Sequence, residues 1–254
     1  MNVSLIPYIV LILMGAAWGL SIPLTKITVS TGYGQFGLIF WQFVIAVIVL
    51  GFMLLVRRKR PIFERKTIFL FIVLALLGTI FPNSASYVAT YYLPASFIAI
   101  LIATVPMFSF PIAMLMGLEK KDLRRISGLF IGLLGVVILT APAASFPDRH
   151  LLIFIPLALL APFFYAIEGN YVDKYGTAGQ DPIQTFTGAS ILGTFMILPV
   201  TISTGQWIDP FQPWPIENYT HVASSCCHAF AYCAYVWLVS RAGAVFTAQV
   251  AYFV

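Results

Sequence analysis

Apolar residues run in blocks of about twenty along this chain, separated by short stretches that hold nearly all its charges. The blocks fall at residues 5–26, 37–56, 67–91, 95–117, 125–142, 151–172, 183–204 and 219–240. A helix rises about 1.5 Å per residue, so ~20 apolar residues match a hydrocarbon layer of ~30 Å. The pattern therefore predicts eight membrane-spanning helices. A ninth block opens near Ala244 and has reached about mid-membrane at Val254. A helix does not leave its last carbonyls unpaired in lipid, so this span is expected to be incomplete as given. The fold class is an all-α polytopic membrane protein with about eight and a half helices present.

Composition agrees with this reading. Hydrophobic residues make up 60% of the chain and charged residues 9%, too few charges to cover a soluble surface. The formal charge of +5 is explained by where the cations sit. Alternate connections hold Arg57, Arg58, Lys59, Arg60, Arg65, Lys66, Lys120, Lys121, Arg124, Arg125, Lys174 and Arg241; the other set holds only Lys26 and Arg149. By the positive-inside tendency the basic loops and the N-terminus face the cytoplasm, in a cell inner membrane. The loop from Thr204 to Tyr219, with Trp207 and Trp214, then faces out as a connector with interfacial tryptophans. Nucleic-acid binding would need a basic face interleaved with stacking aromatics, which this clustering does not supply. Cys226, Cys227 and Cys233 share one apolar segment at spacings that suit neither a disulfide nor a metal. The first block lacks a basic leader and a small-residue cleavage site, so it reads as a first span and not as a cleaved signal.

Enzyme signatures are missing as well. The chain has no Walker loop and no HExxH, and the pattern calls for no cofactor and no metal. Polar residues inside the spans are the informative ones, because each is costly in lipid unless it faces the bundle interior. Glu168 is an acid within the sixth span, a few residues from its end; a role in proton coupling or cation binding competes with a structural ion pair and with a snorkelling surface carboxylate. His228 shares a helix face with Tyr232 and Tyr235, and its imidazole could carry a proton or simply bond a neighbouring helix. Asn83, Tyr87 and Thr90 or Tyr91 recur at helical spacing after Pro82, which removes a backbone donor. Trp18, Ser21 and Thr25 do likewise around Pro23. With Tyr165, the set Trp18, Ser21, Asn83, Tyr87, Glu168, His228 and Tyr232 would converge from helices one, three, six and eight on a small organic substrate. Gly128, Gly132 and Gly135 form a small-residue seam, expected to pack within the monomer, with a homodimer contact as the alternative.

The chain also repeats itself weakly. Leu93-Pro94-Ala95 aligns with Ala242-Gly243-Ala244, and Ala17-Trp18-Gly19-Leu20-Ser21 with Phe164-Tyr165-Ala166-Ile167-Glu168. Five spans separate the copies, and an odd number turns the second copy upside down, the inverted-repeat plan of secondary transporters. The expected units are residues 1–142 and 150–254.

Three segments carry a family resemblance: AAWGLSIPLTK in the first span, LPASFIAILIATVPMFSFPIAMLMGLEKKDLRRISGLFIGLLGVVIL across the fourth and fifth, and RAGAVFTAQVAYFV in the second copy. They resemble the drug/metabolite transporter superfamily with its EamA-type repeat, including the central Pro106, the Gly117 and Glu119 end, and the glycine-rich fifth span. The resemblance implies ten helices, hence a C-terminally truncated second repeat, and a carrier exporting small metabolites, amino acids or drugs. A membrane scaffold or sensor, and a lipid-carrier flippase of the same superfamily, are the alternatives. A water-accessible centre lined by Trp18, Asn83, Tyr87, Tyr165 and His228 would separate a carrier from a scaffold.

Overall fold

The computed structural model describes residues 5–140 and 149–254, so the junction between the two expected units lies outside the described residues. Eight long helices follow one another: α1 Ile6–Val29, α2 Gln35–Val56, α3 Arg65–Tyr92, α4 Ala95–Leu115, α5 Leu123–Thr140, α6 His150–Tyr175, α7 Pro182–Ser203 and α8 Ile216–Ala242. All but α5 are long and apolar enough to cross a membrane on the described residues alone. The last segment, α9, is a short helix Ala244–Thr247 continued by a 3-10 turn Ala248–Tyr252.

Local chemistry sets the ends. Asp181 accepts from the amides of Ile183 (3.1 Å) and Gln184 (3.0 Å) while the Gln184 side chain accepts from the Asp181 amide, a capping box that starts α7 at Pro182. Glu64 and Thr67 form the same device at the start of α3. Between α8 and α9 the chain turns at Gly243, whose φ of +84° lies in the left-handed region that glycine adopts without a side-chain clash.

Prolines produce the irregularities. Pro82 cannot donate an amide hydrogen, and the preceding residues Leu76–Ile80 widen into a π turn in which the Phe81 amide reaches Leu76 O. The sequence suggests a broken bond at Pro82; the structure spreads the disturbance over the turn before it. In α4 the helix stops at Ile102 and restarts at Val105, with Pro106 in the first turn of the second half. A helix broken at this depth is tolerated where it borders protein or a cavity.

Packing exchanges partners in a regular way. The contact of α1 with α8 has its counterpart in α3 with α6, and α2 with α8 in α3 with α7. Contacts of α4 with α6 correspond to those of α9 with α1, and α2 with α7 maps onto itself. Each pair arises from the other by replacing a helix with the one five places away. Outward faces are apolar, as lipid requires: Phe130, Ile131 and Leu134 on α5, Phe52 and Leu55 on α2, and Phe195 on α7 are exposed.

Alternate connections gather at one end of the bundle, the basic face. There Arg57 and Lys59 meet Asp181 at 3.1 and 2.9 Å, and Lys174 donates to Met116 O at 2.9 Å. At the opposite face the loop after α7 is docked on α2 and is more than a polar connector. The Phe36 amide donates to Gln206 Oε1 (2.8 Å), Trp41 Nε1 to Ile208 O (3.0 Å), and Trp207 packs against Phe40 and Trp41. The glycine seam of α5 is only partly used inside the monomer. A side chain at 132 would press on Met107, whereas positions 128 and 135 face open space.

Candidate functional site

Two small chambers lie at the centre of the bundle, one nearer each face, with volumes of about 50 and 40 Å³. Either has space for a few water molecules at roughly 10–15 Å³ each. Trp18 from α1, Tyr165 from α6 and His228 from α8 line both. Trp18 and Tyr165 meet edge to face, with ring centroids 5.4 Å apart, and form a partition between the chambers.

The chamber nearer the opposite face is built from neutral hydrogen-bonding groups. Gln42 Oε1 accepts from Asn83 Nδ2 (2.7 Å) and from the Tyr87 hydroxyl (2.8 Å), and the Tyr165 hydroxyl donates to Asn83 Oδ1 (3.1 Å). This network ties α2, α3 and α6 together, and all four residues line the chamber with Ser21, Thr25, Ser86, Thr90 and Ser224. Ser21 is turned back on its own helix, its hydroxyl donating to Trp18 O at 2.6 Å. Ile98 and Ile102, from the first half of the broken α4, supply an apolar wall.

Nearer the basic face, the second chamber holds one carboxylate among aromatic rings. Glu168 is 2% exposed and accepts a hydrogen bond from the Tyr232 hydroxyl. That burial removes the snorkelling alternative, and its partner is a phenol, with no ion pair to Glu168 among the described residues. The π turn of α3 makes room for it. A Cβ at Gly78 would collide with the Glu168 carboxylate and the Tyr232 hydroxyl, so glycine at this point lets the α3 backbone approach both. Tyr232 stacks on Phe186 at 3.8 Å, and Met14, Val105, Ala231 and Tyr235 complete the lining.

His228 has a buried Nε2 with no hydrogen-bond partner among the described residues, so the expected bond to a neighbouring helix is not made by that nitrogen. Its ring edges toward Phe186 with centroids 5.9 Å apart.

All eight residues expected at the site therefore face one chamber or both. Ser21, Asn83 and Tyr87 belong to the first, Glu168 and Tyr232 to the second, and Trp18, Tyr165 and His228 to the two together. Of the pair Thr90 or Tyr91, the structure selects Thr90; Tyr91 is 47% exposed. Sequence reasoning missed Gln42, the hub of the network. Its signal was available, since it is the one polar side chain in the interior of an otherwise apolar α2. It also missed Ser86, Ser224 and Met14, which carry no comparable mark.

A model of the EamA-like transporter family matches residues 5–141, from α1 to just past the end of α5. The chain belongs to that family. It is thus a member of the drug/metabolite transporter superfamily, and membership makes it a multi-pass membrane protein of transporter type acting on small molecules. No curated protein matches the chain. For an EamA-like protein, polar residues of α1, α2 and α3 meeting those of α6 and α8 at the bundle centre are the arrangement that most needs explaining.

Proposed function

We propose that this chain is a secondary transporter that carries a small neutral or cationic organic molecule across the cell inner membrane, in the direction of export, by alternating access. One observation carries the reading: hydrogen-bonding groups from both halves of the chain line two adjoining small chambers at the bundle centre, one rich in amides and hydroxyls and one ring-lined around Glu168. The described chambers are water-sized, which suits an occluded state that must widen to admit cargo. Substrate class follows from the lining. Among the described residues neither chamber presents a lysine or arginine, while Glu168 stands in one of them. An anionic cargo would meet that carboxylate with no compensating cation, whereas an amine or a neutral amphipathic molecule would find amide, hydroxyl and ring partners.

The five-helix exchange of contacts supports two inverted repeats, over 1–142 and 150–254, which rock about the chambers. The basic face is read as cytoplasmic, with the N-terminus on the same side. Glu168, buried and bonded to a phenol at the chamber wall, is the candidate for proton coupling. The scaffold reading has the small chamber volume on its side, but it leaves the buried Nε2 of His228, the buried Glu168 carboxylate and the polar lining of the first chamber without a task.

The test is transport into proteoliposomes with a panel of neutral, cationic and anionic amino acids and amphipathic amines. Uptake of neutral or cationic members, driven by a pH gradient and absent for the anions, is the expected outcome. No uptake across the panel, together with no thermal shift on adding any member, would remove the carrier reading.

A further inference from the structure

An alternating-access carrier needs a separate barrier toward each face, and the repeat locates a candidate for each. The register that sets Trp18 opposite Tyr165 also sets Lys26 opposite Asp173. Both lie in the last turns of their helices, α1 and α6, and both are half-buried. Since the helices alternate in direction, Lys26 sits at the opposite face and Asp173 at the basic face.

Each reaches the corner that is equivalent in its own half. Lys26 Nζ donates to Thr90 O (2.7 Å) and Tyr91 O (2.9 Å), in the last turn of α3 just before the Leu93-Pro94 corner into α4. Asp173 Oδ2 accepts from the Ala244 amide (2.8 Å), in the first turn of α9 just after the Gly243 corner from α8. Such a corner joins the carbonyl end of one helix to the amide end of the next. A cation suits the first end and a carboxylate the second. The two halves have taken opposite ends of the same corner, and the side chain has changed sign accordingly.

The two carbonyls that accept from Lys26 belong to Thr90, which lines the central chamber, and to Tyr91, which lines the space outside it. A vestibule of about 420 Å³ at the opposite face is lined by Tyr91 and by Tyr87, and Tyr87 also lines the chamber. We propose that Lys26 and Asp173 are the two latches of the transport cycle, each holding the chambers closed toward its own face and each released when that face opens. Both latches are engaged in this structure, in keeping with chambers that admit only water. The proposal rests on the alternating-access reading above; the residues act on helix position and do not touch cargo.

Side-specific access to the chambers tests it. With Cys226, Cys227 and Cys233 replaced by alanine, a His228→Cys reporter faces both chambers, and its reaction with a membrane-impermeant charged maleimide is timed from each side of oriented vesicles. Lys26→Met should raise labelling about tenfold from the opposite face alone, the scale set by one charge-assisted hydrogen bond. Asp173→Ala should raise it by a similar factor from the basic face alone. Lys26→Arg and Asp173→Glu should stay near the parent rates. Should Lys26→Met fail to accumulate, Lys26→Gln carries the same expectation with a smaller rise. A plain structural cap would behave differently: faster labelling from both faces, from the wrong face or from neither would overturn the proposal. Transport is not the readout, so side-specific labelling with a flat substrate panel would sink the carrier reading and spare the latches, while active transport with unresponsive labelling would sink the latches alone.

Discussion

The two chambers share a wall and differ little in size, yet they are made of different chemistry. One is a closed network of neutral amides and hydroxyls, Gln42, Asn83, Tyr87 and Tyr165, in which each group satisfies another. The other is a lone carboxylate, Glu168, with a phenol partner and a ring-lined wall. A neutral network can shape a cavity and select cargo, but it stores no charge that a cycle could use. A single buried acid can hold or release a proton, but it offers little shape selectivity. The contrast suggests that selection and coupling are divided between the chambers, with Trp18 and Tyr165 standing where they meet.

Glu168→Gln is the sharpest way to break that division and should have the largest effect. Glutamine keeps the volume and keeps an oxygen that can accept from Tyr232, so the fold should survive while ionisation is lost. Coupled transport is expected to fall about a hundredfold, the scale of losing a charge-assisted interaction of about 2–3 kcal/mol, and its pH dependence should flatten. Transport rate against pH in proteoliposomes measures both. An unchanged profile would take Glu168 out of the mechanism.

Asn83→Leu addresses the neutral chamber. Leucine fills nearly the same volume but takes from Gln42 Oε1 one of its two donors, leaving the Tyr87 hydroxyl, and leaves the Tyr165 hydroxyl without its acceptor. Losing one bond to Gln42 and leaving the Tyr165 hydroxyl buried and unpaired should cost about 2 kcal/mol, visible as a lower unfolding temperature in detergent. Pairing it with Gln42→Leu should cost less than the two single changes added together, because both act on one network. Strict additivity would mean that the four residues are neighbours without being a unit. The pH profile of any remaining transport should keep its shape, the reverse of the Glu168→Gln result.

Much of this was legible before any coordinates, for a physical reason. In lipid a polar side chain is tolerated only where it faces protein or water, so the few polar positions in apolar helices point inward nearly by necessity. That is why Asn83, Tyr87, Glu168 and His228 could be gathered from three helices without knowing how the helices pack. Partnership was not legible. Nothing near Gln42 in sequence shows that it would join Asn83 and Tyr87, because the bond depends on the angle between α2 and α3. The π turn at Leu76–Ile80 was hidden for a related reason: proline announces a lost donor, while the route by which the helix absorbs the loss depends on what packs there, in this case Glu168 and Tyr232 against Gly78. The docking of the Trp207 loop on α2 was obscured because an interfacial tryptophan and a packed one look alike in sequence.

The smallest expected effect lies outside both chambers and serves as their control. Asp181, at the basic face, draws together Arg57 and Lys59 from the end of α2 and the first amides of α7. Partial burial pushes its carboxyl toward the neutral form, but the Lys59 hydrogen bond, the Gln184 amide and the charges of Lys59 and Arg57 outweigh this and hold its pKa below the usual aspartate value of 3.8. A group whose pKa is lowered by folding stabilises the fold above its unfolded value and loses that contribution as pH falls through the folded one. Asp181→Asn keeps a good helix cap, since asparagine caps about as well as aspartate, and removes only the charge. At pH 7 the variant should be less stable by roughly 0.5–1 kcal/mol, the range of partly exposed ion pairs. The gap in unfolding temperature between parent and variant should close as pH is lowered below about 3.8 and narrow in high salt. Coupling and network stability, the two properties assigned to the chambers, should not respond, and a Glu168-like loss of pH dependence in Asp181→Asn would show that the charge governing transport is not confined to the carboxylate chamber.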